Sequence, residues 1–99
     1  MIQTFRDDAS DDFFNGRNTK RARKACPESL WKVQVRRMDA LDSAERLDDL
    51  RIPPGNRLEQ LSGKRAGQHS IRMNEQYRVC FTWGEGGPEN VEVTDYHDE

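Results

Sequence analysis

The sequence predicts a single α+β domain, in which an N-terminal strand and two helices pack on one face of a mainly antiparallel sheet. The chain has 99 residues, which leaves room for one hydrophobic core. Apolar residues recur at helical spacing in the first half of the chain, and in the second half they alternate with polar residues as in strands. Turn-forming residues separate the alternating segments by connections of hairpin length.

The first quarter of the chain predicts a strand, a short helix and a connection. Residues 2–5 form an apolar start, which suits a strand that joins the sheet. Asp7 or Asp8 is expected to cap a helix that ends at Asn15-Gly16. Residues 17–25 are strongly basic and show no apolar periodicity, so we predict a mobile link there.

A longer helix is predicted to begin at Pro27, because proline is favoured in the first helical turn. The residues expected to face the core are Trp31, Val35, Met38 and Leu41. Asp42 or Ser43 is expected to restart or continue the helix through residue 50. The run Pro53-Pro54-Gly55 then ends the helical part of the chain.

The second half predicts consecutive strands linked by hairpins. A short strand is expected around residues 58–61, and two longer strands around residues 67–73 and 77–83. Residues 84–88 are rich in glycine and end in proline, which predicts a turn. A last strand is expected to open with Val91 and Val93 and to run into Asp95-Tyr96-His97.

The period of two in these strands assigns side chains to faces. His69, Ile71 and Met73 are expected on one face of the second strand, and Ser70 and Arg72 on the other. In the third strand the apolar residues Tyr77, Val79, Phe81 and Trp83 share one face. The opposite face of that strand then carries Arg78, Cys80 and Thr82.

The net charge of −2 conceals blocks of opposite sign along the chain. Residues 17–37 sum to +7 and residues 51–83 to +4, whereas the three blocks around them are acidic. Basic blocks attract phosphate even in a chain of acidic isoelectric point. A basic run taken alone is more often a solvated surface, so the charge pattern permits a nucleic-acid partner without requiring one.

Several common enzyme signatures are absent from the sequence. Its glycine cluster precedes a proline instead of a helix, so it does not match a phosphate-binding loop. The cysteines and histidines show no metal-ligand spacing, and no serine lies in a nucleophile elbow. We therefore predict neither a metal nor a cofactor. With no signal peptide or membrane span in the sequence, we expect a cytoplasmic protein with reduced thiols.

Cationic side chains concentrate in the second half. The candidates for binding phosphate are Arg57, Lys64, Arg65, His69, Arg72 and Arg78. Cleaving RNA without a metal needs a base for the 2′-hydroxyl, an acid for the departing 5′-oxygen and cations that hold the phosphate. Asp95, Tyr96 and His97, at the end of the last strand, add a histidine that titrates near neutrality and a ring that can stack on an unpaired base.

Each of these residues also has a structural role open to it. Arg78 is equally suited to pair with a carboxylate such as Asp95. His69 and His97 are of a type that is usually found on an ordinary surface, and Tyr96 can pack against the long helix. The residues alone would rank a ribonuclease behind a generic binding module.

Four segments carry a family resemblance: Pro53–Glu59, Leu61–Arg72, Tyr77–Trp83 and Asp95–His97. They resemble the HigB, or plasmid maintenance killer, branch of the RelE/ParE toxin superfamily, and residues 1–5 look like the first strand of that family. The resemblance implies a compact RelE-like domain and a ribosome-dependent, metal-independent mRNA endoribonuclease. It also implies a HigA-like helix-turn-helix antitoxin, through which alone the toxin would reach operator DNA.

The resemblance also implies roles for single residues. Arg78 matches the strand arginine that contacts the scissile phosphate, and Asp95, Tyr96 and His97 match the catalytic cluster at the C-terminus. His97 is then the candidate acid or base, Tyr96 stacks or positions the base, and Asp95 orients its neighbours. Where relatives have a lysine before the hairpin glycine this chain has Ser62, which leaves Lys64 or Arg65 to supply that cation.

Two other functions remain open at this point. One is a ParE-like toxin that poisons gyrase and has no nuclease site. The other is a non-catalytic module that binds an antitoxin and acts only as a co-repressor. For the basic residues 17–25 the hypotheses are a contact with ribosomal RNA, a contact with an acidic face of the antitoxin, or a solvated link.

Overall fold

Three helices precede a four-stranded antiparallel sheet in the computed structural model, which describes residues 1–95. The helices are α1 (Asp8–Phe14), α2 (Lys20–Ala25) and α3 (Trp31–Ser43), and the strands are β1 (Glu59–Gln60), β2 (His69–Arg72), β3 (Tyr77–Gly84) and β4 (Gly87–Asp95). The strands follow one another in the sheet in chain order, each antiparallel to the next. The predicted α+β class and the hairpin-linked sheet are confirmed.

The hydrophobic core lies between the helices and one face of the sheet. Ile71, Val79 and Phe81 are fully or almost fully buried on this face, as the alternation in β2 and β3 predicts. From the helices, Phe13 joins the same cluster and packs edge-on against Trp31, with ring centroids 5.1 Å apart. None of the helices in residues 1–95 is long and apolar enough to cross a membrane.

The N-terminal segment runs beside β4 and forms a single parallel bridge between Phe5 and Val91. The Val91 amide donates to the Thr4 carbonyl at 3.1 Å, and the Arg6 amide donates to the Val91 carbonyl at 3.0 Å. The predicted first strand therefore reaches the sheet but is very short. It ends there because Asp7, as predicted, caps α1 by accepting a hydrogen bond from the Ser10 amide at 2.8 Å.

Residues 17–25 do not form the irregular link that we predicted, because residues 20–25 are helical. Thr19 caps this helix by accepting from the Ala22 amide at 3.2 Å, and Ala22 itself is fully buried. The segment is fixed to α1 through the buried carboxylate of Asp12, to which Arg21 donates at 2.6 Å and Thr19 at 2.7 Å. A helix of six residues with one buried alanine has no periodicity to recognise.

The predicted core stripe of α3 is correct at Met38 and Leu41, which are both 0% exposed, and wrong at Val35, which is 40% exposed. Gln34 takes the buried position instead. The core-facing stripe is therefore Gln34, Met38 and Leu41, and the helix is turned slightly so that Val35 lies at the edge of this stripe. It also begins at Trp31, after a 3₁₀ turn over Glu28–Leu30, instead of at Pro27.

Two further boundaries differ from those predicted. The chain beyond Ser43 does not continue as α-helix: residues 47–51 form a 3₁₀ turn that buries Leu50. β4 begins at Gly87, well before Val91. Gly87 has φ +125°, and a Cβ there would lie 2.6 Å from the Met1 carbonyl oxygen, so this position requires glycine.

The rotation of α3 gives a stability prediction. Met38→Ala should lower the free energy of unfolding by about 2–4 kcal/mol, because it leaves a cavity in a fully buried site. Val35→Ala removes a half-exposed side chain and should cost less than about 1 kcal/mol. Urea denaturation of the two variants measures both values, and similar losses for both would contradict this orientation of α3.

Candidate active site

The face of the sheet that points away from the helices is polar. The register between the strands places on it Glu59, Ser70, Arg72, Arg78, Cys80, Glu92 and Thr94, which together we call the polar face. Two rows cross the strands there. One row consists of Arg72, Arg78 and Thr94. The other consists of Glu59, Ser70, Cys80 and Glu92.

Arg78 lies at the centre of the polar face with its side chain only 12% exposed. Its Nε donates to the Ser70 hydroxyl at 2.8 Å, and its Nη2 donates to the Arg57 carbonyl at 2.9 Å. Arg57 has a left-handed backbone (φ 45°), a conformation that costs energy for a residue with a side chain and is often found at functional sites. The guanidinium is thus held in position before any ligand arrives.

Arg72 is the cross-strand neighbour of Arg78. Directly opposed residues in an antiparallel pair have Cβ atoms about 5 Å apart, and two like charges at that separation repel each other. A pair of arginines at such a position is unfavourable for the fold alone, and an anion that neutralises both removes the penalty. The Arg57 carbonyl contacts Arg78, and the Arg57 side chain is exposed.

Arg65 reaches the polar face from the loop between β1 and β2, where residues 63–65 form a 3₁₀ turn. Its Nη1 donates to Gln68 at 3.1 Å and to Glu92 Oε1 at 3.0 Å. The other oxygen of Glu92 lies 3.5 Å from Nε of Arg6. Lys64, in the same turn as Arg65, is exposed. Of the two candidates to replace the missing lysine, Arg65 is therefore the one in contact with the polar face.

The side chain of His69 does not lie on the polar face. It pairs with Phe81, with ring centroids 6.0 Å apart, and it lies on the helix-facing side of the sheet. Its alternation with Ser70 and Arg72 places its side chain on the opposite face from theirs. The structure therefore separates His69 from the other predicted phosphate-binding residues.

Asp95 ends β4 opposite Tyr77, and its carboxylate accepts a hydrogen bond from the Gln76 side chain at 3.0 Å. Its position in the strand places it on the side of Val93, whereas Thr94 shares a face with Arg78. An orienting role for Asp95 thus has to act from the end of β4, beside Thr94 and from the opposite face of the strand. Tyr96 and His97 lie outside the described residues.

Cys80 is buried beneath the charged side chains of the polar face and is 1% exposed. Burial raises the pKa of its thiol to about 11, so that the thiol is protonated at neutral pH and does not serve as a nucleophile. Within residues 1–95 no three histidine, cysteine or acidic side chains are grouped so as to hold a metal ion.

Four residues of this site were not singled out from the sequence: Arg6, Glu59, Ser70 and Glu92. Alternation identifies the face of Ser70, and it identifies the face of Glu92 between Val91 and Val93. No local sequence pattern indicates that the Glu59 carboxylate lies 3.6 Å from Nη2 of Arg78, or that Glu92 contacts Arg65. Both contacts depend on the register of strands that are distant in the sequence.

Comparison with known proteins finds similarity over almost the whole chain. A family model described as the RelE-like toxin of the type II toxin-antitoxin system HigB matches residues 3–98. Toxin HigB-1 of Vibrio cholerae is 42% identical over 86 residues, which cover 87% of each protein. An uncharacterised protein of Haemophilus influenzae is 37% identical over 93 residues, covering 94% of this chain and 84% of that protein.

Among solved structures, two YoeB–YefM toxin–antitoxin complexes from Staphylococcus aureus contain a chain of similar fold. The TM-scores are 0.53 and 0.54 at 17% and 16% sequence identity, and the match covers 99% of both chains in each case. At this level of identity the similarity bears on the fold alone.

Proposed function

Because the chain belongs to the HigB-like family of RelE-like type II toxins, we propose that it acts by cutting mRNA on the ribosome, without a metal ion. A partner antitoxin is implied by the family. We further propose that this antitoxin is a HigA-like helix-turn-helix protein, and that the toxin reaches operator DNA only through it.

The observation that carries the proposal is the preorganised Arg78 beside Arg72 on the polar face. In metal-independent cleavage the 2′-oxygen attacks the neighbouring phosphorus, the bond from phosphorus to the 5′-oxygen breaks, and a 2′,3′-cyclic phosphate forms. Negative charge accumulates on the phosphoryl oxygens during this step. A guanidinium already fixed by Ser70 and Arg57 stabilises that charge without having to reorganise.

The proton transfers belong, in this proposal, to the C-terminal cluster. His97 takes the proton of the 2′-hydroxyl or returns one to the 5′-oxygen, and Tyr96 stacks on the base beside the cut. Asp95 orients these two residues. The support for these roles is the resemblance of residues 95–97 to the family's catalytic cluster, together with the place of Asp95 next to Thr94, the cross-strand neighbour of Arg78.

One observation favours a second candidate, the non-catalytic antitoxin-binding module. Two arginines at the polar face lie against a carboxylate: Nη2 of Arg78 is 3.6 Å from Glu59, and Nη1 of Arg65 is 3.0 Å from Glu92. Acidic partners weaken the attraction for RNA. The repulsive pair of Arg72 and Arg78 is the stronger argument, because a phosphodiester bound between the two arginines neutralises both.

The proposal is tested by inducing the toxin under tight control and mapping new 5′ ends on transcripts. We expect cuts inside translated frames, and none beyond a stop codon placed upstream in the same transcript. Co-expression of the antitoxin should remove them. Growth arrest with intact mRNA would instead indicate gyrase or another target, and no arrest would favour the co-repressor module.

A further inference from the structure

Glu59 lies on the edge strand β1 with its carboxylate 3.6 Å from Nη2 of Arg78. We propose that Glu59 occupies the place of the substrate phosphate on Arg78 and sets the affinity of the toxin for RNA by competing with it. This inference rests on the proposed function, since it assigns to Glu59 a role against the same substrate.

The contact is placed where a phosphodiester would bind. Nε of Arg78 is engaged by Ser70, and Nη2 is shared between the Arg57 carbonyl and Glu59. A carboxylate and a phosphodiester each carry one negative charge and prefer the same N–H groups of a guanidinium. Both cannot lie against Nη2 without repelling each other, so binding of RNA at Arg78 requires Glu59 to withdraw.

Glu59 is able to withdraw, in contrast to the second carboxylate of this face. Its side chain is 51% exposed, and its distance to Arg78 is longer than that of a hydrogen bond. Glu92 is only 15% exposed and is held by Arg65 at 3.0 Å and by Arg6 at 3.5 Å. The structure thus pairs a fixed carboxylate with a displaceable one, and the displaceable one faces the central arginine.

The same contact has a second effect on the unliganded toxin. The attraction of Glu59 offsets part of the repulsion between Arg78 and Arg72, its neighbour across the strands. Glu59 therefore lowers the cost of the arginine pair while no phosphate is bound, and the phosphate takes over this role on binding. Partly exposed ion pairs contribute little free energy, so the competition should weaken RNA binding several-fold without abolishing it.

The test is the substitution Glu59→Gln, with Glu85→Gln as the matched control. Each substitution removes one negative charge and keeps the size of the side chain. Glu85, however, is exposed in the turn after β3, at the far end of that strand from Arg78. The probe is a ribosome programmed with an mRNA whose decoding-site nucleotides carry 2′-O-methyl groups, which blocks cleavage. Cleavage rates are measured in parallel on the same mRNA with 2′-hydroxyls.

We expect Glu59→Gln to lower the Kd for the blocked complex by about three- to fivefold, with the maximal cleavage rate within twofold of the wild type. Glu85→Gln should leave both values unchanged. An unchanged or weaker Kd for Glu59→Gln would overturn the competition, and so would an equal gain with Glu85→Gln. A large loss of the maximal rate would make Glu59 a proton acceptor instead. Tighter binding by Glu59→Gln with no cleavage by any form would support the competition and reject the nuclease.

Discussion

Replacing Arg78 with alanine is expected to lower the rate of RNA cleavage by about 10²–10³-fold, the usual cost of losing one preorganised donor to a developing oxyanion. The effect should fall mainly on the maximal rate, because Arg78 is positioned for the charge that appears in the transition state. A single-turnover assay on mRNA-programmed ribosomes measures this rate directly.

The alanine variant also removes hydrogen-bond donors from Ser70, which is fully buried, and from the Arg57 carbonyl. Some loss of stability is therefore expected, and Arg78→Lys serves as the second variant. Lysine keeps the charge but lacks the planar fork of arginine. Arg78→Lys should therefore still cleave RNA more slowly than the wild type, by roughly tenfold or more. A thermal melt of each variant separates misfolding from lost chemistry.

Arg51→Ala is the matched control for general electrostatics. Arg51 lies in the 3₁₀ turn after α3, is 67% exposed and pairs with Asp48 at 2.9 Å. Arg51→Ala should cleave RNA at a rate within about twofold of the wild type, because exposed ion pairs have small effects. If Arg78→Ala cleaved as fast as Arg51→Ala, Arg78 would have no place in the chemistry.

The faces of β2 and β3 were predictable because burial of one face imposes a period of two on the sequence. That pattern placed His69 with Ile71 and Ser70 with Arg72, and the register adds that the face of Ser70 and Arg72 is also that of Arg78. Its residue type alone predicts that His69 is a phosphate ligand. The alternation that assigned its face was the stronger argument, and it separates His69 from Arg78.

Other features of the fold depend on contacts that no local pattern contains. Gln34 replaces Val35 in the core because the packing of α3, and not its most apolar stripe, sets its rotation. The contact of Glu59 with Arg78 joins an edge strand to the third strand of the sheet. From the sequence alone, Glu59 is one more acidic residue expected at the surface. Its contact with Arg78 follows only from the register of the strands.

The helix α2 is the clearest case, and it leads to the second large effect that we expect. The sequence predicts a link over the basic residues 17–25, yet Asp12 anchors them from α1. The Asp12 side chain is fully buried, while Arg17 and Arg21, which donate to it, are about half exposed. A single carboxylate thus connects two helices across a segment with a strong excess of positive charge.

Asp12→Asn is expected to lower the melting temperature at pH 7 by about 10 °C. Charge-assisted hydrogen bonds are stronger than neutral ones, and a given loss of stability shifts the melting temperature more in a small domain than in a large one. Asp11→Asn is the matched control. Asp11 is 40% exposed and meets Arg17 at 3.3 Å, so its loss should shift the melting temperature by no more than about 3 °C. Equal shifts for the two variants would mean that Asp12 does not anchor α2.

The pH dependence of the same variant tests the cause of the effect. Hydrogen bonds from Arg21, then from Thr19 and Arg17, hold the pKa of Asp12 well below its usual range. A carboxyl with a depressed pKa in the folded state stabilises the fold above its unfolded pKa of about 3.9 and loses that contribution as the pH falls further. The difference in melting temperature between wild type and Asp12→Asn should therefore be constant from pH 7 to about pH 5 and shrink below about pH 4. A difference that persisted undiminished into strong acid would mean that the shape of the Asp12 side chain, and not its charge, holds α2 in place.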